Sequence, residues 1–321
     1  MNQRRKFLKT SAALAVGGIL LPQVNFADAK SDALKTLGVG LFSIPKAIEN
    51  DFAGTMKKLS QIGFKEIEFY GPYSFSPEAE QKRWASMTPQ LGFSVSGLYG
   101  MSAKEVKKIL DDNGLSAPSI HAGLSTLKEK MDQLAETAKT LGTEYVILPS
   151  AATPPDLDGF KKQADEFNEI GMQAAKRGIN FAYHNHGNGH KAIDGVIPFD
   201  LTMQKTNPKE VFFQMDVFWM EAAGVDIPGY LDKYKGRFVS MHVKDMAKRV
   251  RFSSDGGDAG QWMELFPQLA NAGSGVMDLK TILSHAVKSG VKHFAVERDI
   301  APNSIDDLKV SYDYLTKLDL G

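Results

Sequence analysis

One local pattern constrains this sequence more than any other. An amphipathic, helix-like segment stops at a glycine, and a short β-branched and aromatic run begins within a few residues. It occurs as Ile62-Gly63-Phe64 before Glu66 to Tyr70, as Leu141-Gly142 before Tyr145 to Leu148, and as Arg177-Gly178 before Ile179 to His184. It returns as Lys235-Gly236 before Phe238 to Val243 and as Ser289-Gly290 before His293 to Val296. Glycine ends a helix because it enters the left-handed region with no Cβ clash, and the runs that follow have the length and composition of strands. Helix, glycine, strand is the grammar of βα units, which stack into parallel sheets.

Three further runs, Leu37 to Ser43, Ala117 to Ala122 after Asp112-Asn113-Gly114, and Val211 to Val217 after Asn207-Pro208, bring the expected strands to eight. Helices are expected over 46–61, 102–112, 125–140, 157–176, 198–206, 227–235, 278–288 and 304–317, with Ser125 and Asp278 as N-caps. Eight alternations over about 280 residues fit a single (β/α)8 barrel better than an open sheet, which has fewer strands and one switch point. The expected fold class is therefore α/β, one parallel barrel.

Composition agrees. The 321 residues are 43% hydrophobic and 24% charged, with 14 Pro, 29 Gly and no Cys, which excludes disordered, collagen-like and disulfide-stapled classes. The first 29 residues read separately, as a targeting segment. Arg4-Arg5-Lys6-Phe7-Leu8-Lys9 is basic, an apolar stretch runs to Leu21, and Ala27-Asp28-Ala29 has the small-x-small form of a cleavage site. The paired arginines suggest the twin-arginine route and a periplasmic location; the competing reading is a basic amphipathic helix that stays attached. Residues 30–321 would form the barrel domain, with 34 basic and 37 acidic side chains, a net charge near −3. A mildly acidic surface does not favour nucleic acid, and no other stretch has the apolar length of a membrane span.

In a barrel the active site forms where strands end, so polar residues closing the runs are the place to look. The fifth run ends Tyr183-His184-Asn185-His186, the sixth Gln214-Met215-Asp216, the seventh His242-Val243-Lys244-Asp245, and the eighth Val296-Glu297-Arg298-Asp299. Alternation with period two puts His184 and His186 on one face with Ala182, and turns Asn185 away. If Ala182, Ser240 and Ala295 point inward, then His184, Asp216, His242 and Glu297 converge at the mouth from four consecutive strands. Two imidazoles and two carboxylates without a thiolate suit Mn²⁺, Co²⁺, Fe²⁺ or Zn²⁺ better than the all-oxygen sites of Mg²⁺ or Ca²⁺. A single histidine or acid at a strand end is usually a satisfied hydrogen-bonding residue, but four such strands in a row weigh against accident.

His121, closing the third run, is either a substrate contact or a buried histidine. Glu66 and Glu68 share a face of the second run, where one is expected to be a buried acid paired with a lysine of the barrel, and Glu68 is also a candidate substrate contact. Trp219 stacks on a sugar face or lies in the core. His190 is expected in a loop, His285 on a helix surface and His293 at a strand start. Residues 71–101 and 247–276 are long connections of the kind that form lids or binding loops. The segment from Gly273 to Asp278 superficially resembles a phosphate loop, but it follows no strand and lacks the third glycine, so a turn before an Asp-capped helix is the better reading.

From residue 36 onward the chain resembles the xylose isomerase-like TIM-barrel superfamily, specifically the sugar phosphate isomerase/epimerase group. The pieces that carry the resemblance are Tyr183-His184-Asn185-His186, Asp216 with Trp219 and Ala223-Gly224-Val225-Asp226, His242-Val243-Lys244-Asp245, Gly273-x-Gly275-x-x-Asp278, and Val296-Glu297. The resemblance implies one divalent metal, often manganese, on His184, Asp216, His242 and Glu297, and a keto-sugar held through adjacent oxygens. Many epimerases of the group carry a glutamate where this chain has His184, and exchange protons between two facing carboxylates. Some inosose dehydratases of the superfamily carry His-x-His there, which brings elimination or hydration into view.

The expected function is that of a metal-dependent isomerase, epimerase or lyase acting beside a sugar carbonyl through an enediolate. Glu297 or His186 would take the α-proton, and Lys244 or His121 would donate one. Export points to an unphosphorylated keto-sugar or 3-keto-glycoside. The alternatives are a metal-dependent hydrolase or endonuclease of the same fold, which calls for more ligands and a basic groove, and a non-catalytic sugar-binding protein.

Overall fold

The computed structural model describes residues 33–302 and 304–320, so the targeting segment expected at 1–29 lies outside the described residues. Eight parallel strands close into a barrel: β1 (Gly38–Gly40), β2 (Glu66–Phe69), β3 (Ser116–His121), β4 (Tyr145–Leu148), β5 (Asn180–His184), β6 (Val211–Asp216), β7 (Phe238–Val243) and β10 (His293–Val296). Each pairs with the barrel strands before and after it in the chain, β7 with β10 across the two short strands between them, and β10 returns to β1. Two short strands, β8 (Asp245–Met246) and β9 (Leu269–Ala270), pair antiparallel outside the barrel.

The alternation read from the sequence holds in space. Residues turned outward, such as Val146, Phe181, Tyr183, Phe213, Met215 and Met241, join the large core between barrel and helices. The interior floor is a small cluster of Tyr145, Ile147, Ala182 and Val239 with Phe212 against it. Register then stacks polar residues above that floor: His184 lies beside Gln214, Gln214 beside Ser240, and Asp216 beside His242. The inward face therefore turns from apolar to polar toward the strands' C-terminal ends, which places the site.

Local chemistry redraws several expected boundaries. The first strand is three residues long and passes into a 3₁₀ turn, Leu41–Ser43. The helix expected over 46–61 is two, Pro45–Asn50 and Phe52–Ile62, because the Asp51 side chain accepts from Gly54 N at 2.8 Å and starts a new helix. The helix expected over 125–140 also breaks, at Lys130, into Leu124–Glu129 and Met131–Leu141. Ser125 is not its N-cap: Gly123 holds that position, and the Glu80 carboxylate, brought in by 71–101, accepts from Thr126 N at 3.2 Å. Asp278 does cap its helix, accepting from Thr281 N at 3.1 Å.

Both long connections are ordered by packing. Residues 71–101 contain a helix, Glu78–Leu91, that brings Glu80 to the end of β3. Residues 247–276 contain the helix Ala259–Leu265, whose Trp262 reaches the barrel mouth. No helix among the described residues is long and apolar enough to cross a membrane.

Candidate metal centre at the barrel mouth

Three of the four residues expected to converge, Asp216, His242 and Glu297, offer donor atoms within 4.8 Å of one another; His184 groups in that way with His121 and His242 instead, and reaches the first set through Asp216. His184 ends β5, Asp216 ends β6, His242 lies one residue from the end of β7, and Glu297 follows β10. His184 Nε2 and His242 Nδ1 each lie 3.7 Å from Asp216 Oδ2, and His242 Nδ1 lies 2.7 Å from Glu297 Oε2. Donors around one tetrahedral ion with bonds of about 2.1 Å stand about 3.4 Å apart, so the separations among Asp216, His242 and Glu297 suit a single small cation, with His184 at the edge of the set. Asp216 Oδ2 and His242 Nδ1 are buried without a hydrogen-bond partner of good geometry, although charged groups lie nearby. Buried polar atoms of that kind call for a ligand.

The opposite edges of the imidazoles are held from below. His242 Nε2 lies 2.5 Å from Glu68 Oε1, and His184 Nδ1 lies 2.8 Å from Gln214 Oε1. A carboxylate or amide behind a histidine fixes the ring and turns its other nitrogen, with a lone pair, toward a metal. Glu297 has its own support. A Cβ on Gly40 would fall 2.5 Å from Glu297 Oε1, so a glycine on β1 makes the room that this carboxylate occupies.

Lys244, 1% exposed, balances the acids. Its ammonium lies 3.0 Å from Asp216 Oδ2, 2.9 Å from Glu297 Oε2 and 2.5 Å from Asp299 Oδ2. Burial works against its charge, yet the three carboxylates hold its pKa well above the usual lysine value. Burial would also raise Asp216, but Lys244 and His242 bring it down to about 2. Glu297 is likewise held below the carboxylate range, against burial, by His242 and Lys244. Burial, with Glu297 and Asp216 nearby, lifts Asp299 to about 6. His242 is pushed well above the ordinary value, against burial, by Glu297 and Glu68, so a metal would replace a proton there. His184 is held well below it by burial and by the charge of His242, and stays neutral.

His186 borders the donor set. Its ring stacks between Trp262, at a centroid distance of 3.9 Å, and Trp219, at 5.6 Å, and its Nδ1 is buried with no partner. Burial, against the pull of Asp216, lowers its pKa to about 3, so the imidazole is neutral.

The other expected residues fall as follows. His121 Nε2 lies 2.9 Å from Gln214 Oε1 and 3.0 Å from Glu68 Oε1 at the wall of the site. Glu68 is buried and pairs with His121 and His242 rather than a lysine, the ammonium of Lys244 being taken up by Asp216, Glu297 and Asp299; Glu66 pairs with His293 at the barrel floor. Trp219 is 1% exposed and packs against His186 and Phe252. His190 lies in a loop against Phe199, and His285 lies on a helix at 3.0 Å from Asp232. The glycine loop at 273–275 binds the chain's own carboxylate: Asp245 accepts from Gly273 N at 2.9 Å, Gly275 N at 3.0 Å and Met277 N at 3.2 Å.

Gln214 and Trp262 were not singled out by sequence reasoning. Gln214 had a signal, since it lies two residues before Asp216 on the same inward face. Trp262 had none, because a non-periodic connection delivers it.

The family model described as Xylose isomerase-like TIM barrel matches residues 56–317. The chain belongs to that family. Among curated relatives, an inosose dehydratase of Geobacillus thermodenitrificans is 25% identical over 183 residues, which span 50% of this chain and 60% of that protein. The match thus covers less than two thirds of the relative's length. Among solved structures, a sugar phosphate isomerase/epimerase from Parabacteroides distasonis superposes with a TM-score of 0.69 at 23% identity, covering 89% of this chain and 99% of that one. The IolI protein with a binding zinc atom superposes at 0.63 and 16% identity, covering 88% and 99%. These superpositions show that this xylose isomerase-like barrel shares its fold with both.

Proposed function

We propose that this protein is a metal-dependent enzyme that removes the proton beside the carbonyl of an unphosphorylated keto-sugar, such as a 3-keto-glycoside, and completes a β-elimination or an isomerisation. The observation that carries this reading is the cluster of Asp216 Oδ2, His242 Nδ1 and Glu297 Oε2, two of them buried without a good hydrogen bond, with His184 Nε2 at 3.7 Å from Asp216 Oδ2, beside a neutral His186 and a charged Lys244. Those four side chains would hold one divalent ion of the Mn²⁺, Co²⁺, Fe²⁺ or Zn²⁺ class, manganese in our assignment, which supplies Lewis-acid polarisation of a carbonyl when bound.

The chain's own groups supply the proton chemistry. His186, neutral and unpartnered at Nδ1, is our first choice of base for the α-proton and Glu297 the second; burial holds His186 down to about 3, so its taking a proton depends on the neighbouring charges of Asp216 and Glu297. Lys244 carries its proton against burial and donates to the departing hydroxyl or to the carbonyl oxygen. Asp216 and Glu297 stay ionised as donors, and His121 offers a polar wall to the substrate. One base and one acid suit elimination or isomerisation better than a two-carboxylate epimerisation, because His184 stands where a second carboxylate would be needed. The names of the relatives, dehydratase and isomerase/epimerase, agree with that range.

The unphosphorylated substrate is supported by the loop at 273–275, whose backbone N–H groups are already turned to Asp245. The basic N-terminus with its cleavage-like site adds an exported, periplasmic setting to the proposal. The test is proton exchange. Metal-loaded protein incubated with a panel of keto-sugars and 3-keto-glycosides in deuterated water should place deuterium α to the carbonyl of at least one, and His186→Gln should slow this at least a hundredfold. Exchange that proceeds unchanged in His186→Gln but stops in Glu297→Gln would move the base to Glu297. Binding without exchange in the wild type would make the protein a sugar-binding module.

A further inference from the structure

We propose that Gln214 is a positioning residue whose side-chain amide sets the tautomer of His184, so that the nitrogen facing the metal donors is the one with the lone pair. The argument needs only donor and acceptor chemistry. Gln214 is 0% exposed and lies on β6 between β5 and β7, where its amide is cut off from bulk solvent. Glu68 lies beneath it. One Glu68 oxygen is 2.7 Å from the Gln214 amide group and 2.5 Å from Ser119 Oγ; the other is 2.5 Å from His242 Nε2 and 3.0 Å from His121 Nε2.

An ionised carboxylate only accepts hydrogen bonds. The Gln214 face turned to it must therefore be the NH₂, since the flipped amide would set two acceptors at 2.7 Å. The Gln214 carbonyl then faces the other way, 2.8 Å from His184 Nδ1 and 2.9 Å from His121 Nε2. A carbonyl also only accepts, so both of those nitrogens carry hydrogen. With that hydrogen on Nδ1, the nitrogen left to face Asp216 Oδ2, 3.7 Å away and beyond hydrogen-bond reach, is Nε2, which an imidazole with one N–H leaves as a lone pair. One carboxylate on β2 thus orders protons across β3, β5, β6 and β7 through one amide.

The functional consequence rests on the metal-centre reading above, but the tautomer does not. Two variants test it. Gln214→Met keeps the volume and removes both hydrogen-bonding functions, whereas the exchange Gln214→Glu with Glu68→Gln moves the carboxylate one position along the network and leaves its donors and acceptors paired. Zinc affinity measured by calorimetry, with zinc alone as the probe, should fall at least tenfold in Gln214→Met and return toward wild type in the exchange. Nitrogen-15 spectra of labelled histidine in metal-free protein should show His184 as a single Nδ1–H tautomer in wild type and exchange, and as a mixture in Gln214→Met.

A Gln214→Met protein that keeps both the tautomer and the affinity overturns the proposal. So does an exchange variant that binds no better than Gln214→Glu alone, and this arm still decides if Gln214→Met does not fold. If the wild type binds no zinc, manganese or cobalt but Gln214→Met loses the His184 tautomer, the positioning role stands and the metal reading falls.

Discussion

At the scale of single residues, the site is built by making room as much as by placing donors. Gly40 is the clearest case: any side chain there meets the Glu297 carboxylate, whose nearest oxygen would be 2.5 Å from a Cβ. Gly40→Ala should displace Glu297, lower metal affinity at least tenfold and cost about 1–3 kcal/mol by overpacking, as read by calorimetric titration and urea denaturation. Wild-type affinity in that variant would show that Glu297 is not among the ligands. The approach of Asp216, His242 and Glu297 was legible in the sequence because period-two alternation is a property of one strand, whereas the pull of His184 toward His121 was not. Nor were the roles of Glu68 and Gln214. Their hydrogen bond joins residues 146 positions apart, and only the register of separate strands brings them together.

At the scale of elements, the two long connections behave as parts of the site. Asp245 ties the connection after β7 to its own far end, accepting from three backbone N–H groups between 273 and 277. Asp245→Asn turns one acceptor into a donor against those groups and should destabilise the protein by about 2–3 kcal/mol in urea denaturation. A loss under 0.5 kcal/mol would mean the loop holds its shape without the carboxylate.

The same connection docks through Phe252, which fills the space beside Gly187 so closely that a Cβ there would fall 2.2 Å from its ring. Gly187→Ala should release 247–276 from the loop bearing His186, and proteolysis should cut within that segment at least tenfold faster than in wild type. An unchanged cleavage rate would show that Phe252 does not hold the segment in place. Length and composition marked both connections as unusual in the sequence, but aperiodic chain gave no means of seeing that one delivers Glu80 and the other Trp262. Breaks inside expected helices were missed for a similar reason: Asp51 reads as an ordinary helical residue until its carboxylate is seen to cap Phe52–Ile62.

At the scale of the whole molecule, burial of histidines makes the folded state sensitive to acid. His190, away from the donor set, is packed on Phe199 and has both ring nitrogens buried without partners. Burial, against the attraction of Asp200, brings its pKa from an ordinary 6.5 to about 4. The unfolded chain takes up a proton below pH 6.5 that the folded chain refuses, so stability is complete above that pH and drains away as pH falls toward 4. His190→Phe should remove on the order of 2 kcal/mol of that loss, seen as a flatter dependence of urea midpoint on pH over this window. An identical dependence in the variant would place the acid sensitivity elsewhere. The barrel itself was legible throughout, because five helix, glycine, strand units and three further strand runs leave few other ways to bury eight strands.

The claim on which the rest depends is that His184, Asp216, His242 and Glu297 together hold one divalent ion. Elemental analysis of purified protein, beside Asp216→Ala and His242→Ala, tests it most directly. The account predicts close to one transition-metal ion per chain in the wild type and loss of that ion in both variants, with the fold retained by circular dichroism. A wild type that carries no metal and takes up none when manganese, cobalt or zinc is added, or variants that keep full occupancy, would contradict it.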